Sequence, residues 1–387
     1  MASTFAVRAA GFCYPFLPYH LDALQLPTQT IGRLLAVFGI GWLVGSVLWG
    51  WLADRTGRRA ALTIAMALAA LTLPLMAQAH TVTTLAGATF VAGIVYDATR
   101  PVFSAAIAEH YEGDQDRAAL NAKRNFAVNA ASALAGTVGG LLADEVGIPA
   151  LLWTNAAACA VASLTAWHFL NDRTILASNC TTPPARHAAL HDQSLWLLLL
   201  ASLATLTAAA SLFSGLPLLM ARAGLPAADY GWTQTANAAT VLLLSSLLNR
   251  WLSRRAQRGK PMTGLLAASG LILGTSMGAA ALATNVFAFS LPAALAVPGE
   301  VIAFIAAGDV LTRISPPDAY GLYAGIWGAT MAGAVTAAPI LASWSLEHGG
   351  PALAAATTFS TGALGAFLCW PLTHVIRRSS TTCATAQ

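Results

Sequence analysis

Long apolar runs separated by short polar turns set the pattern of this chain. The runs lie near 2–25, 31–53, 60–79, 83–108, 122–143, 149–171, 194–221, 231–252, 261–283, 286–312, 321–345 and 351–375. Each is close to the ~20 residues that an α-helix needs to cross a bilayer. Backbone polar groups in lipid must be satisfied within the segment, so runs of this length predict helices. The alternating pattern of a membrane β-barrel is absent. The longest polar stretch runs from Asp172-Arg173 through Pro183-Pro184 to His191-Asp192 and divides six predicted spans from six. The expected organisation is an N-terminal bundle over 1–171, a linking loop over 172–193, a C-terminal bundle over 194–376 and a tail over 377–387. Arg8 falls only about 12 Å into a helix that starts at residue 1. Either the first helix is short or the chain starts further upstream.

Composition makes lipid the solvent. Hydrophobic residues are 57% of the 387 and charged residues 9%, whereas a soluble domain carries about 25% charged residues. The net charge of +4 is unevenly placed. Arg55, Arg58, Arg59, Arg117, Lys123, Arg124, Arg173, Arg186, Arg250, Arg254, Arg255, Arg258, Lys260, Arg313, Arg377 and Arg378 all fall in loops on one side. Arg222 falls opposite, and Arg8, Arg33 and Arg100 lie in or at the ends of spans. By the positive-inside rule the basic loops mark the cytoplasm, with both termini there. The basic balance is therefore topology, not nucleic-acid binding. The five cysteines form no CxxC pair and lie mostly in or beside apolar runs, which reads as apolar packing rather than a disulfide framework or metal site. No cleavable signal pattern is visible.

The turn between the second and third runs carries the strongest motif. It reads Gly50-Trp51-Leu52-Ala53-Asp54-Arg55-Thr56-Gly57-Arg58-Arg59. Gly50 is expected to allow close helix approach and Gly57 to permit the turn. Asp54 is placed to pair with arginine and to cap the next helix. This spacing resembles the loop between helices 2 and 3 of major facilitator superfamily transporters. A blurred copy runs from Asn249 to Lys260, with Ser253 where Asp54 stands. The resemblance implies an all-α integral membrane fold of twelve helices in two pseudo-symmetric six-helix bundles. It also implies alternating access, a monomer without cofactor, a bacterial-type inner (plasma) membrane location, and a gating role for Gly50, Asp54, Arg55, Gly57, Arg58 and Arg59. The plain alternative for that loop is a positive-inside turn.

Two spans carry ionisable residues near mid-membrane, where such groups are costly and default to functional candidates. Asp97 and Arg100 in Tyr96-Asp97-Ala98-Thr99-Arg100-Pro101 are three apart and share a helix face. Arg-Pro followed by Ser104, Ala108 and Glu109 resembles helix 4 of drug-efflux members, but Thr89 stands where those members carry an arginine. Ala135-Gly136 likewise stands where antiporters carry Gly-Pro, while Gly139 and Gly140 fit their pattern. Glu300, in Pro298-Gly299-Glu300, has no evident helix partner within its apolar span. It is expected to couple protons, jointly with Asp97, or to balance a cationic substrate. A structural ion pair is the alternative for either group. Asp309 is expected to pair with Arg313 near the cytoplasmic end.

Further expectations are weaker in their residue signals. Gly41-x3-Gly45 and Gly321-x3-Gly325 read as packing seams suited to two rocking domains. Tyr14, Arg100, Asn129, Gln234, Asn237, Tyr323 and Trp327 are candidates for a substrate cavity. His20 and Asp22 are expected in solvent at an outer helix end. Trp153, Trp196, Trp232, Trp251 and Trp370 read as interfacial anchors. No metal spacing, nucleophile motif or phosphate loop points to an enzyme. The reading is a secondary transporter, most like proton-coupled efflux of a small lipophilic or cationic compound, with protons, substrate and lipid as partners and no nucleic acid. An uptake symporter or facilitator for a small metabolite is the first alternative, and a non-transporting membrane receptor the second.

Overall fold

The computed structural model describes residues 11–96, 98, 130–132, 134–169, 191–256, 262–316 and 319–384, with no strand among them. The helices are α1 (Cys13–Ala23), α2 (Thr28–Thr56), α3 (Arg58–Ala77), α4 (Val82–Tyr96), α5 (134–146) and α6 (Ile148–Phe169). They continue as α7 (Gln193–Ala210), α8 (Gly215–Arg222), α9 (Ala227–Ala256), α10 (Thr263–Ala280), α11 (Val286–Ile314) and α12 (Tyr320–Ala384). The expected span over 194–221 is broken by a turn between α7 and α8. The α12 run covers two expected spans, interrupted at Gly350, whose φ of 63° and ψ of −156° leave the helical region. Only glycine adopts that conformation without strain, and Pro351 then opens the second half.

Seven helical runs among the described residues are long and apolar enough to cross a membrane. Large apolar side chains stand on the outside, Leu243 at 76% exposure and Phe287 at 72%. Rows of this kind fit a lipid boundary and not water.

The chain forms two compact units, one of Met1–Ser178 with Pro217–Leu242 and one of Asn179–Leu216 with Leu243–Gln387. In the first, α2 and α4 cross at backbone distance. A Cβ at Gly41 would overlap the Phe90 carbonyl, one at Gly45 the Ile94 carbonyl, and one at Gly93 the Phe38 carbonyl. The indole N–H of Trp49 donates to Ile94 O at 2.7 Å on the same crossing. The second unit repeats the device between α10 and α12, where a Cβ at Gly274 would come within 3.0 Å of Phe359 O. Apolar contact gives helices little drive to associate in lipid, so close packing and interhelical hydrogen bonds carry these crossings.

Two expected seams need correction. Gly41-x3-Gly45 is a seam, but its partner is α4 of the same unit. Around Gly325 a Cβ would meet nothing within 4 Å, so among the described residues no close crossing uses that glycine. The expected exposure of His20 is also overturned. Its side chain is 4% exposed, and its Nε2 lies 3.3 Å from Met76 O. The carbonyl near the end of α3 supplies the polar partner that lets the imidazole be buried.

Candidate functional site

The turn of the basic motif is one residue long. Gly57, at φ 86° and ψ 159°, joins the last residue of α2 to the first of α3, a conformation that favours glycine. Arg55 stacks on Trp51 and Arg59 on Trp167 of α6, each guanidinium 4.4 Å from the ring centroid. Such contacts contribute about 0.5–1 kcal/mol at exposed sites. Gly50 departs from its expected role, because a Cβ there would meet nothing within 4 Å. Among the described residues it holds no close helix approach. The side chain of Asp54 lies outside the described residues.

In the first unit the sequence candidates divide into two groups. Tyr14 is buried in an aromatic cluster, stacked on Phe38 at 4.8 Å and tilted against Tyr96 at 5.4 Å. Gln234 is buried on α9, donating to Tyr230 Oη at 2.7 Å, and Asn237 is buried one turn on. The Gln234 stem closes over α5, where a Cβ at Gly136 would fall 2.5 Å from the Gln234 Cβ. Asp97, Arg100 and Asn129 lie outside the described residues. Thr89, at the position where the resemblance leads one to look for arginine, is fully buried, and its hydroxyl has no hydrogen bond among the described residues.

The same unit holds polar contacts at the end opposite the Gly57 turn. Asp22 pairs with Arg222 at 3.2 Å, and Arg222 also donates to Leu26 O at 2.8 Å. Asp144 accepts the Ala228 N–H at 3.2 Å, satisfying a donor in the first turn of α9. Asp22 is therefore ion-paired, not simply solvated.

Glu300 stands apart in the second unit. It is partly buried and has no hydrogen bond or ion pair among the described residues. Helical phase fixes which way it faces. The lipid row of α11 is Phe287, Leu291 and Leu295, the last two 49% and 55% exposed. At about 100° per residue, nine residues carry the helix half a turn round. Glu300 thus lies opposite Leu291, and Phe304 opposite Leu295. Phe304 is 38% exposed, at the edge of an accessible arc that Val301, Ile305 and Gly308 continue toward the lipid row.

Trp327 of α12 meets Phe304. Its ring packs edge-to-face on Phe304 with centroids 6.4 Å apart. Its Nε1–H donates to Ser202 Oγ of α7 at 3.0 Å. Against it lies a niche lined by Ser202, Thr205, Leu206, Leu266, Ala303 and Ala307, with no room for a water molecule. Four residues before Trp327, the buried Tyr323 donates its hydroxyl to Asp192 Oδ2 at 2.8 Å, while Asp192 Oδ1 caps α7 by accepting Ser194 N–H at 2.8 Å. Asp309 pairs with Arg313 at 2.8 Å and accepts the Met262 N–H at 3.2 Å.

Three participants were missed in the sequence. Phe304 was hidden as one more aromatic in an apolar run, although it lies one turn from Glu300. Ser202 carried no signal. Asp192 did carry one, since an Asp two residues before Ser194 and the run from Leu195 has the spacing of an N-cap.

The Major Facilitator Superfamily model matches residues 1–307. The structure is similar to a mutant of the peptide transporter POT in complex with alafosfalin, with TM-score 0.76 and 15% identity, covering 97% of this chain and 93% of that chain. It is also similar to the nucleoside transporter NupG, with TM-score 0.71 and 14% identity, covering 96% of each chain. A POT family transporter in complex with 5-aminolevulinic acid gives TM-score 0.73 at 14% identity, covering 95% of this chain and 92% of that one. At such identities the likeness is one of fold alone. No curated protein matches the sequence.

Proposed function

The chain belongs to the Major Facilitator Superfamily, and from that premise we propose that it is a proton-coupled exporter of a small lipophilic or cationic compound. Its place among multi-pass membrane transporters follows from the family and the fold. Proton coupling, direction and substrate class are the proposal. The observation that carries it is Glu300, a partly buried carboxyl without a partner among the described residues, set half a turn from the lipid row of α11.

An isolated carboxylate inside a membrane protein is costly. It is stabilised by taking a proton or by facing a cation. A proton or a substrate shifts the equilibrium between two transporter states only through its different affinity for them. Glu300 meets that need if its surroundings differ between the inward- and outward-open states, and Asp97 is assigned the same part. The Gly50–Arg59 motif is assigned to gating, with Gly57 as the pivot and Arg55 and Arg59 held on Trp51 and Trp167. The basic loops support a reading in which both termini face the cytoplasm, at a bacterial-type inner membrane.

A second reading is import of a small polar metabolite by symport. Thr89 in place of an arginine and Ala135-Gly136 in place of Gly-Pro favour it. Proteoliposomes test the first reading directly. Wild-type protein is expected to move protons when a transported cation is added, and Glu300→Gln to lose that movement at equal expression. Unchanged gradient-driven transport in Glu300→Gln would overturn the coupling role. Accumulation in right-side-out rather than inverted vesicles would select import.

A further inference from the structure

We propose that Cys13 of α1 and Cys159 of α6 form a two-thiol site that takes a soft divalent cation of linear coordination, with Hg(II) as its probe. The site lies wholly within the first unit and rests on none of the transport assignments above.

Three observations carry the inference. First, one side chain joins the two cysteines. Asn155 and Cys159 are four apart on α6 and share a face. The Asn155 Nδ2 donates to Cys159 Sγ at 3.7 Å, and its Oδ1 accepts the Cys13 N–H at 3.4 Å. Asn155 thereby holds the first turn of α1 against the turn of α6 that bears Cys159. The two thiols also lie within electrostatic range of each other.

Second, helical phase turns Cys13 toward α6. Cys13, Leu17 and His20 recur at the spacing of one helix face. His20 reaches Met76 O of α3 from that face, and α3 packs along α6. Cys13 and Cys159 are both free and buried, at 5% and 3% exposure.

Third, the pair has no further ligand of its kind. Among the described residues no group of three or more His, Cys, Asp or Glu side chains could hold a metal. Zinc, which asks for four ligands, is therefore poorly served. Thiolate sulfur selects soft ions, and two sulfurs complete the shell of a linear one.

Charge balance narrows the guest further. Two thiolates and one divalent ion sum to zero, which suits apolar surroundings where a net charge is costly. A monovalent soft ion would leave one negative charge behind. Mercuric chloride enters as a neutral molecule. Two S–H and two Hg–Cl bonds break, two Hg–S bonds form, and two HCl leave, with no change of oxidation state. Burial disfavours charged and bulky thiol reagents at the same sulfurs.

The test is intact-protein mass spectrometry of the full chain in lipid nanodiscs, with Cys180, Cys369 and Cys383 replaced by alanine. The protein is treated with mercuric chloride and then challenged with a monothiol. One mercury is expected per chain, with the mass of an ion that displaced two protons and kept no chloride. Zinc is expected to wash out under the same challenge. Cys13→Ala and Cys159→Ala are each expected to release mercury at a monothiol concentration at least about 100-fold lower, because the second bond to the pair is intramolecular. Monodispersity and thermal midpoint identify a variant that has misfolded, and the other variant then carries the test. Two mercury adducts per chain, each keeping its chloride, would overturn the proposal, because the thiols would then react apart. So would unchanged retention in a folded single variant, or mercury bound only after denaturation.

Discussion

At the scale of single residues, the second unit shows how one side chain serves two elements. Asp192 caps α7 through Ser194 and accepts the hydroxyl of Tyr323 on α12. Removing the hydroxyl alone leaves the cap intact, and Tyr323→Phe is expected to cost about 0.5–1.5 kcal/mol. Asp192→Ala removes the cap, worth about 0.5–2 kcal/mol, and leaves the buried phenol without its acceptor, which adds about 1–3 kcal/mol. Thermal unfolding of the purified protein should therefore rank Asp192→Ala well below Tyr323→Phe. An equal or reversed order would sink the shared-cap account. Legibility at this scale followed contrast. Glu300 was visible because a lone charge stands out in an apolar run. Phe304 was invisible because its meaning depends on phase against the lipid row, and phase requires exposure. His20 was misplaced for a related reason, since the carbonyl that satisfies it belongs to a residue 56 positions away.

At the scale of elements, small residues mark close crossings, but the sequence does not say which glycine is at a crossing. Gly45 and Gly50 stand in the same helix with opposite surroundings. A Cβ at Gly45 would overlap the Ile94 carbonyl, whereas one at Gly50 would meet nothing within 4 Å among the described residues. Gly45→Ala must push α2 from α4 and is expected to cost about 1–3 kcal/mol, as overpacked sites do. Gly50→Ala is expected to leave stability unchanged or raise it by up to about 1 kcal/mol through helix propensity. Fluorescence-detected melting of the two variants checks the pair, and a Gly45→Ala midpoint equal to wild type would remove the α2–α4 crossing as described. The helices themselves were legible because lipid leaves the backbone few choices. Their ends were less so. The extension of α9 to Ala227 is supported by the contact of Asp144 with Ala228 N, which no local pattern encodes.

At the scale of the whole molecule, charge placement rather than packing decides orientation. The family and the apolar runs make the chain a multi-pass membrane transporter, yet neither says which end faces the cytoplasm. The positive-inside rule does, because Lys and Arg in short loops resist translocation. Thr56 beside the Arg-rich turn and Thr284 between α10 and α11 are both exposed and sit at opposite predicted faces. Single cysteines at these positions, in a background with the native cysteines replaced, turn the rule into a measurement. Cys13, Cys159 and Cys369 are buried, so apolar replacements of similar size suit them. A membrane-impermeant maleimide applied to intact cells is expected to label Thr284→Cys at once and Thr56→Cys only after permeabilisation. Labelling of both from outside would break the six-and-six span count that places them on opposite faces. The reverse pattern would keep that count and invert the orientation, and with it the side on which the Gly50–Arg59 motif acts.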